Sequence, residues 1–561
     1  MRTMLTVLLG VILFSCGPQQ PDINYVISPA VIDGKDQLQI TMTFTPEADG
    51  ETFITHLNDA WGETSLYDCL ANLEVLSEHS EMRINADSNR IEVVHPESLK
   101  QLSLRYSIQS DYDGPLESAR TYRPVVRSDY FHGFSHLLFM IPAELEEQEE
   151  PASIALNWEG FDPDFVIHNS FGSQQRQQLL SVSPVDFSKG IFVGGDFRVH
   201  PIEVEGNQVY LAIRGQWQAF EDQQVVDMLG RTIQTQRDFW KDHSQEYFTV
   251  TLIPTQLDRG SSMGGTGLTN SFAANASNNE YLDFTGLSWL FNHELMHNWI
   301  GFTIQNANEE EQYWFSEGFT EYNNFKNISS NEIGGFTRAD YFNELNKSIS
   351  SLWTSPVKDA PNSEINYENF WSDRSYEKLP YYRGAIFAFY LDHLIAQDSD
   401  GEKSLDDMLL KVLEETRLTG QKIDHDYFLE VANLYLKEDL TPFFQKHMID
   451  GVPFDLPAMF ERFDLAYSIE GSKVFESGFT RDEDQLVHNV VPGSQAFLAG
   501  LREGDRLRSM DMYSDPNTEA HLSYERDGEI TEISFYPYRS EPVPQLLTTD
   551  ENIAMIRPVS K

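Results

Sequence analysis

Residues Phe291 to Gly301 read FNHELMHNWIG: two histidines four apart, with a glutamate directly after the first. At ~3.6 residues per turn, positions i and i+4 share one face of a helix, so His293 and His297 are placed to reach a single ion. Zinc suits two imidazole nitrogens plus a carboxylate, with a fourth position left open for water. Glu294 is rotated by about 100° from His293. It cannot share the ligand position, but it stands where a general base for that water belongs. Phe291, Leu295 and Trp299 form an apolar stripe that would anchor the helix in a core while the histidines look into a cleft. Surface helices also carry His and Glu freely, so the reading turns on a third ligand from elsewhere in the chain.

Twenty residues past His297, the segment YWFSEGFTEYNNF (Tyr313 to Phe325) offers one in Glu317. Trp314 and Phe315 beside it point to a buried, positioned helix. Glu321, one turn further on, is placed to accept the spare N–H of a ligand histidine, the support that metal-bound imidazoles use. The alternative is a solvated acidic face, which a chain this acidic would tolerate; the aromatic flanks favour the ligand pair.

The wider sequence bounds what such a centre serves. At 561 residues the chain exceeds one hydrophobic core. Its 88 acidic against 40 basic residues give a formal net charge of −48. That charge repels phosphate backbones, so nucleic acid is not an expected partner. Leu38, Ile40, Met42 and Phe44 alternate with polar residues, as do Leu102, Leu104, Tyr106 and Ile108, which predicts a β-rich region from about 24 to 201. The Gly/Ser/Asn-rich stretch from Arg259 to Ser277 is expected to line a surface or cleft rather than build a core. Helical patterns dominate from about 375 to 463, and short strands and turns return from about 466 to 538.

At the amino end, MRTMLTVLLGVILFSC carries a basic residue and an apolar run of signal-peptide length. Leu13-Phe14-Ser15-Cys16 resembles a bacterial lipobox, which implies lipidation at Cys16, export, and attachment to the cell envelope by a lipid anchor only. An ordinary cleaved secretory signal is the alternative. Cys69 is the one other cysteine, so with Cys16 lipidated no intrachain disulfide forms.

HELMHNWIG followed by WFSEGFTEY resembles the gluzincin metallopeptidases, whose HExxH is followed by a distant WxxEGF glutamate. LPYYRGAIFAFYLDHLI (Leu379 to Ile395) is similar to that clan's Tyr-x-Lys/Arg-Gly helix start. The match implies that the Tyr381 phenol stabilises an oxyanion, with Tyr382 a rival one residue away. VVPGSQAFLAGLREGDRL (Val490 to Leu507) resembles a PDZ pattern, a module that accepts an extended peptide along a sheet edge. Together these features resemble the glycyl aminopeptidase family.

The resemblance implies a multidomain α+β chain. Its parts are a signal peptide (1–16), a tether (17–23), a β-rich domain (24–201), a thermolysin-like zinc peptidase domain (202–395), a helical domain (396–465) and a PDZ-like domain (466–545). It implies one Zn2+, held by His293, His297 and Glu317, acting on peptide or protein substrates. Gly264 and Gly265 match the clan's substrate-strand glycines, but Gly267 stands where its aminopeptidases carry the glutamate that holds the substrate's α-ammonium. Aminopeptidase and endopeptidase action therefore both stand open. So do a non-catalytic peptide-binding lipoprotein and a zinc hydrolase of non-peptide substrates.

Overall fold

The computed structural model describes residues 20–85 and 88–556. They divide into two compact units, one from the chain up to Gly230 with His243–Phe284, the other from Arg231–Asp242 with Thr285 onward. Cys16 and the signal-like segment lie outside the described residues.

In the first unit a six-stranded sheet comprises β1 (Ile23–Ile32), β2 (Lys35–Phe44), β3 (Leu70–Val75), β4 (Leu102–Gln109), β5 (Ala152–Trp158) and β6 (Gln177–Val182), in the order β6-β5-β1-β2-β4-β3. The two alternating runs of the sequence are neighbours here: Ile40 pairs with Tyr106 and Met42 with Leu104 on β2 and β4. Their apolar sets share one buried face, none more than 3% exposed. Each such side chain contributes about 1.5–3 kcal/mol through removal from water.

A second sheet of this unit holds β7 (Arg198–Val204), β8 (Asn207–Ile213), β9 (Tyr247–Thr255), β10 (Met263–Leu268) and β11 (Ser271–Ser277), ordered β7-β8-β9-β11-β10. This corrects the reading of the Gly/Ser/Asn-rich stretch, most of which forms a hairpin. Every residue of β11 is buried. Small Ser, Ala and Asn side chains fit a strand paired on both edges, and its hydroxyls find partners, as in the 2.7 Å bond between Ser271 and Ser170. A strand buried on both faces shows no alternation, so the pattern hid it.

The second unit is mainly helical. Its elements include the C-terminal half of α1 (Asp222–Trp240), then α2 (Phe284–Met296, nearly all within this unit), α3 (Glu309–Ser316), α4 (Gly318–Ser330), α5 (Asp340–Thr354), α6 (Arg374–Asp398) and α7 (Leu405–Thr419). An aromatic cluster joins them: the Trp314 ring lies 5.7 Å from Phe319, 5.9 Å from Phe387 and 4.8 Å from Phe428. Side chains as far along as Leu546 and Ile556 belong to this same core.

Two features of α6 set the site. It begins at Arg374, capped by Asp373, rather than at Pro380 as the motif suggested. Pro380 sits in its second turn, where the missing N–H forfeits one backbone bond. Further along, Gly384 touches the backbone of the α3–α4 junction. A Cβ on Gly384 would stand 2.1 Å from the Trp314 carbonyl oxygen, and one on Gly318 would stand 2.4 Å from Gly384 Cα. Only glycine at both positions allows this approach.

Behind the same helices, Lys326 is buried between Asp392 (3.2 Å) and Asp406 (2.5 Å), and the Tyr322 hydroxyl donates to Asp392. Toward the C-terminus, Tyr467–Phe475 pairs antiparallel with Tyr538–Leu546, and Arg506–Asp511, Ala520–Arg526 and Glu529–Phe535 form a three-stranded sheet. The helix Gln495–Ala499 packs there, starting at a Ser494 cap and ending at Gly500 with φ 112°. A separate small core includes Val487, Ala496, Leu501 and Leu522. Among the described residues no helix is long and apolar enough to cross a membrane.

Candidate metal centre

Helix α2 ends at Met296, so His297 lies one residue past it, in a turn tightened by i→i−3 bonds such as His297 N to Glu294 O at 3.2 Å. The two imidazoles still converge. Phe291 is fully buried, Leu295 is 2% exposed and Trp299 is 6% exposed, so the apolar stripe holds the segment as the sequence implied. A polar network grips it from behind. Gln236 donates to the Asn292 carbonyl at 2.6 Å, and Asn327 donates to the Asn292 side chain at 3.0 Å.

Glu317 closes the set from the junction between α3 and α4. Its Oε2 lies 3.5 Å from His293 Nε2 and 3.6 Å from His297 Nε2, and the three ligand atoms all lie within 4.8 Å of one another. The far nitrogens are occupied: His293 Nδ1 meets Glu321 Oε2 at 3.0 Å, and His297 Nδ1 meets the Ile300 carbonyl at 2.9 Å. These contacts orient both rings so that Nε2 faces the shared point, the arrangement that ligand histidines require.

A cation fits this point. Glu317 Oε2 is buried without a hydrogen-bond partner, a costly state for a carboxylate oxygen. Burial opposes charge on His293, yet the Glu317 and Glu321 carboxylates override it and lift its pKa to about 10. Burial likewise opposes charge on Glu317, but His297 and His293 draw it down to about 2. Two carboxylates, Glu317 and Glu321, facing one buried imidazole define a place short of positive charge. Two nitrogens and an oxygen are the donor set that zinc prefers.

Around the centre, Glu294 is half-buried, and burial raises its pKa against the pull of His293 and His297. Tyr381, not Tyr382, faces the cluster: its ring lies 6.0 Å from that of His293 at 15°. Burial and the nearby Glu317 charge push the phenol well above its ordinary range, so it remains a donor. Trp289 stacks on His293 at 5.3 Å.

Gly264 and Gly265 belong to the first unit, on β10, the edge strand of its sheet. Gly265 has a packing reason: a Cβ there would stand 2.3 Å from the Phe272 ring, whereas one on Gly264 would make only an ordinary contact, 3.8 Å from Asn275 Nδ2. Sequence reasoning missed the Gly318–Gly384 contact and the Asn292 network. The glycines stood in both quoted motifs, EGF and YYRG, and an asparagine inside an otherwise apolar stretch was the signal for the second.

Residues 266–447, about a third of the chain, match the Peptidase family M1 domain. No curated protein matches the sequence as a whole or in part. Among solved structures, an aminopeptidase N family protein from Idiomarina loihiensis superposes with a TM-score of 0.71 at 16% identity, covering 95% of this chain and 99% of that one. At that identity the likeness speaks for fold. Yeast LTA4 hydrolase is more remote. Its bestatin complex gives a TM-score of 0.43 at 14% identity over 79% of this chain and 70% of that one. Its native form gives 0.44 at 12% over 77% and 70%.

Proposed function

With residues 266–447 forming a zinc metallopeptidase domain of family M1, its ion at His293, His297 and Glu317, we propose that this protein is an aminopeptidase that trims peptides. The observation that carries the chemistry is the convergence of both Nε2 atoms on the unpartnered Glu317 oxygen, with Glu294 and Tyr381 on the partly open side. Zinc, when bound, supplies Lewis acidity that polarises a carbonyl and acidifies a water. Glu294 takes the proton of the attacking water and returns it to the leaving amine. Tyr381 donates a hydrogen bond to the oxygen on which negative charge develops. Glu321 and the Ile300 carbonyl hold the two ligand rings in register.

Sequence resemblance supports the finer reading: a glycyl aminopeptidase relative, exported and lipid-anchored through Cys16, divided as 24–201, 202–395, 396–465 and 466–545. Its last part is PDZ-like and accepts an extended peptide. The Ser494-capped helix and the Gly500 turn suit that module.

One observation favours a second reading, internal cleavage. Gly267, on β10, pairs with Phe272 of β11 and carries no carboxylate where the sequence resemblance implies one for a substrate ammonium. A defined mixture of free and amino-acetylated peptides, digested by the zinc-loaded protein and read by mass spectrometry, decides between them. Stepwise loss of amino-terminal residues, blocked by acetylation, is expected. Internal cuts indifferent to acetylation would replace the exopeptidase with an endopeptidase. Peptide retention without any cut would leave a non-catalytic binding protein.

A further inference from the structure

Lys378 has no part in the chemistry above, yet it stands beside it. It lies on α6 three residues before Tyr381, a spacing that puts both side chains on neighbouring parts of one helix face. Its Nζ sits 4.2 Å from the centroid of the Tyr381 ring. That ring in turn lies 6.0 Å from the ring of the metal ligand His293. His293 is buried, whereas Glu294, His297, Lys378 and Tyr381 are all half-buried. The partly open side of the centre, where a peptide must enter, therefore carries a cation.

Among the described ion pairs of Lys378 the one partner is Glu377, its neighbour in sequence, at 2.7 Å. The two side chains are 30% and 34% exposed. A pair this wet contributes little and is readily exchanged for another carboxylate. The Tyr381 face, by contrast, holds the ammonium in place by cation–π attraction. The acidity of the whole chain does not oppose this local role, because at physiological salt exposed charges farther than ~8 Å are largely screened.

We propose that Lys378 is a specificity-determining residue that takes a carboxylate of the peptide substrate. The carboxylate comes either from an acidic side chain next to the scissile bond or from the free C-terminus of a short peptide. The inference rests on reading this site as a peptidase, and its test separates the two.

Full-length, zinc-loaded protein carrying Glu294→Gln retains peptides without cutting them, so affinity is measured directly by fluorescence anisotropy. Matched probes carry Glu or Gln on either side of the scissile position, each with a free or an amidated C-terminus. The carboxylate probe is expected to bind about tenfold more tightly than its neutral twin, the difference vanishing at high salt. Adding Lys378→Met removes the difference and leaves the neutral probes within about twofold, while Lys378→Arg restores it. The Glu arm and the C-terminal arm show which carboxylate is read. Equal affinity for all probes, no binding of any probe, or an equal loss for charged and neutral probes in Lys378→Met overturns the proposal. Selective, Lys378-dependent binding with no peptide cleaved by the unsubstituted protein would overturn the peptidase reading and leave the carboxylate site standing.

Discussion

Four buried histidines of the β-rich unit and two buried bases of the helical unit, His293 and Lys326, are treated in opposite ways. In the first, burial drives the imidazoles of His56, His132 and His136 down to about 4 and that of His168 to about 3. His168 is held by hydroxyls alone, Ser173 at 2.9 Å and Thr249 at 2.6 Å. These rings are neutral packing groups. The helical unit buries His293 and Lys326 just as deeply but surrounds each with carboxylates, which favour positive charge there against the pull of burial: the ammonium of Lys326 and, at His293, a proton or the ion its Nε2 faces. Desolvation is the same physical cost in both places. What differs between these groups is whether a carboxylate faces them, as Glu317 and Glu321 face His293 and Asp392 and Asp406 face Lys326.

The sharpest way to break that contrast is at the base. Glu294→Gln should lower kcat by about a thousandfold or more, with zinc content by metal analysis unchanged. Near-normal turnover would sink the assignment of Glu294. Next comes the charged cluster behind the site. Lys326→Met strands Asp392 and Asp406 in a buried place and should cost about 3–5 kcal/mol in denaturant unfolding. Replacing both acids by Asn in the same chain should recover part of it, whereas a loss that is not recovered would mean packing, not charge, was at stake.

The smallest effect belongs to the β-rich unit. His168 is folded with a pKa of about 3, below its ordinary 6.5. Between those values the unfolded chain binds the extra proton, so stability is full above about 6.5 and falls as pH drops toward 3. His168→Gln should flatten the pH dependence there by up to about 1.4 kcal/mol per pH unit. Hydrogen exchange of β9 between pH 7 and 5, corrected for intrinsic rates, reads it; an unchanged slope would show that the ring is not a neutral packing group.

Much of this was legible before any coordinates. Period-two alternation found β2 and β4, and the i+4 stripe Phe291, Leu295, Trp299 found the held side of the ligand segment. Glu317 and Glu321 emerged from their aromatic surroundings. The losses have common causes. Apart from Phe272, β11 is buried on both faces with residues too small to look like core, so no periodicity marked it. The start of α6 was misread because Pro380 resembles a boundary, while the Asp373 cap lay outside the motif. Lys326 and Lys378 drew no reading from the sequence. The partners of Lys326, Asp392 and Asp406, come from helices distant in sequence, which no local pattern reports.

The contact of Gly318 with Gly384 has a consequence for how this catalyst can change. Glu317 lies one residue from the first glycine and Tyr381 one helical turn from the second, so the contact works as a fixed hinge pin between ligand and phenol. Neither helix can slide or tilt without driving backbone into backbone, and the span from ion to phenol is set once. A new diet of peptides must therefore be learned at the rim, by residues such as Lys378, while the reach across the scissile carbonyl stays constant.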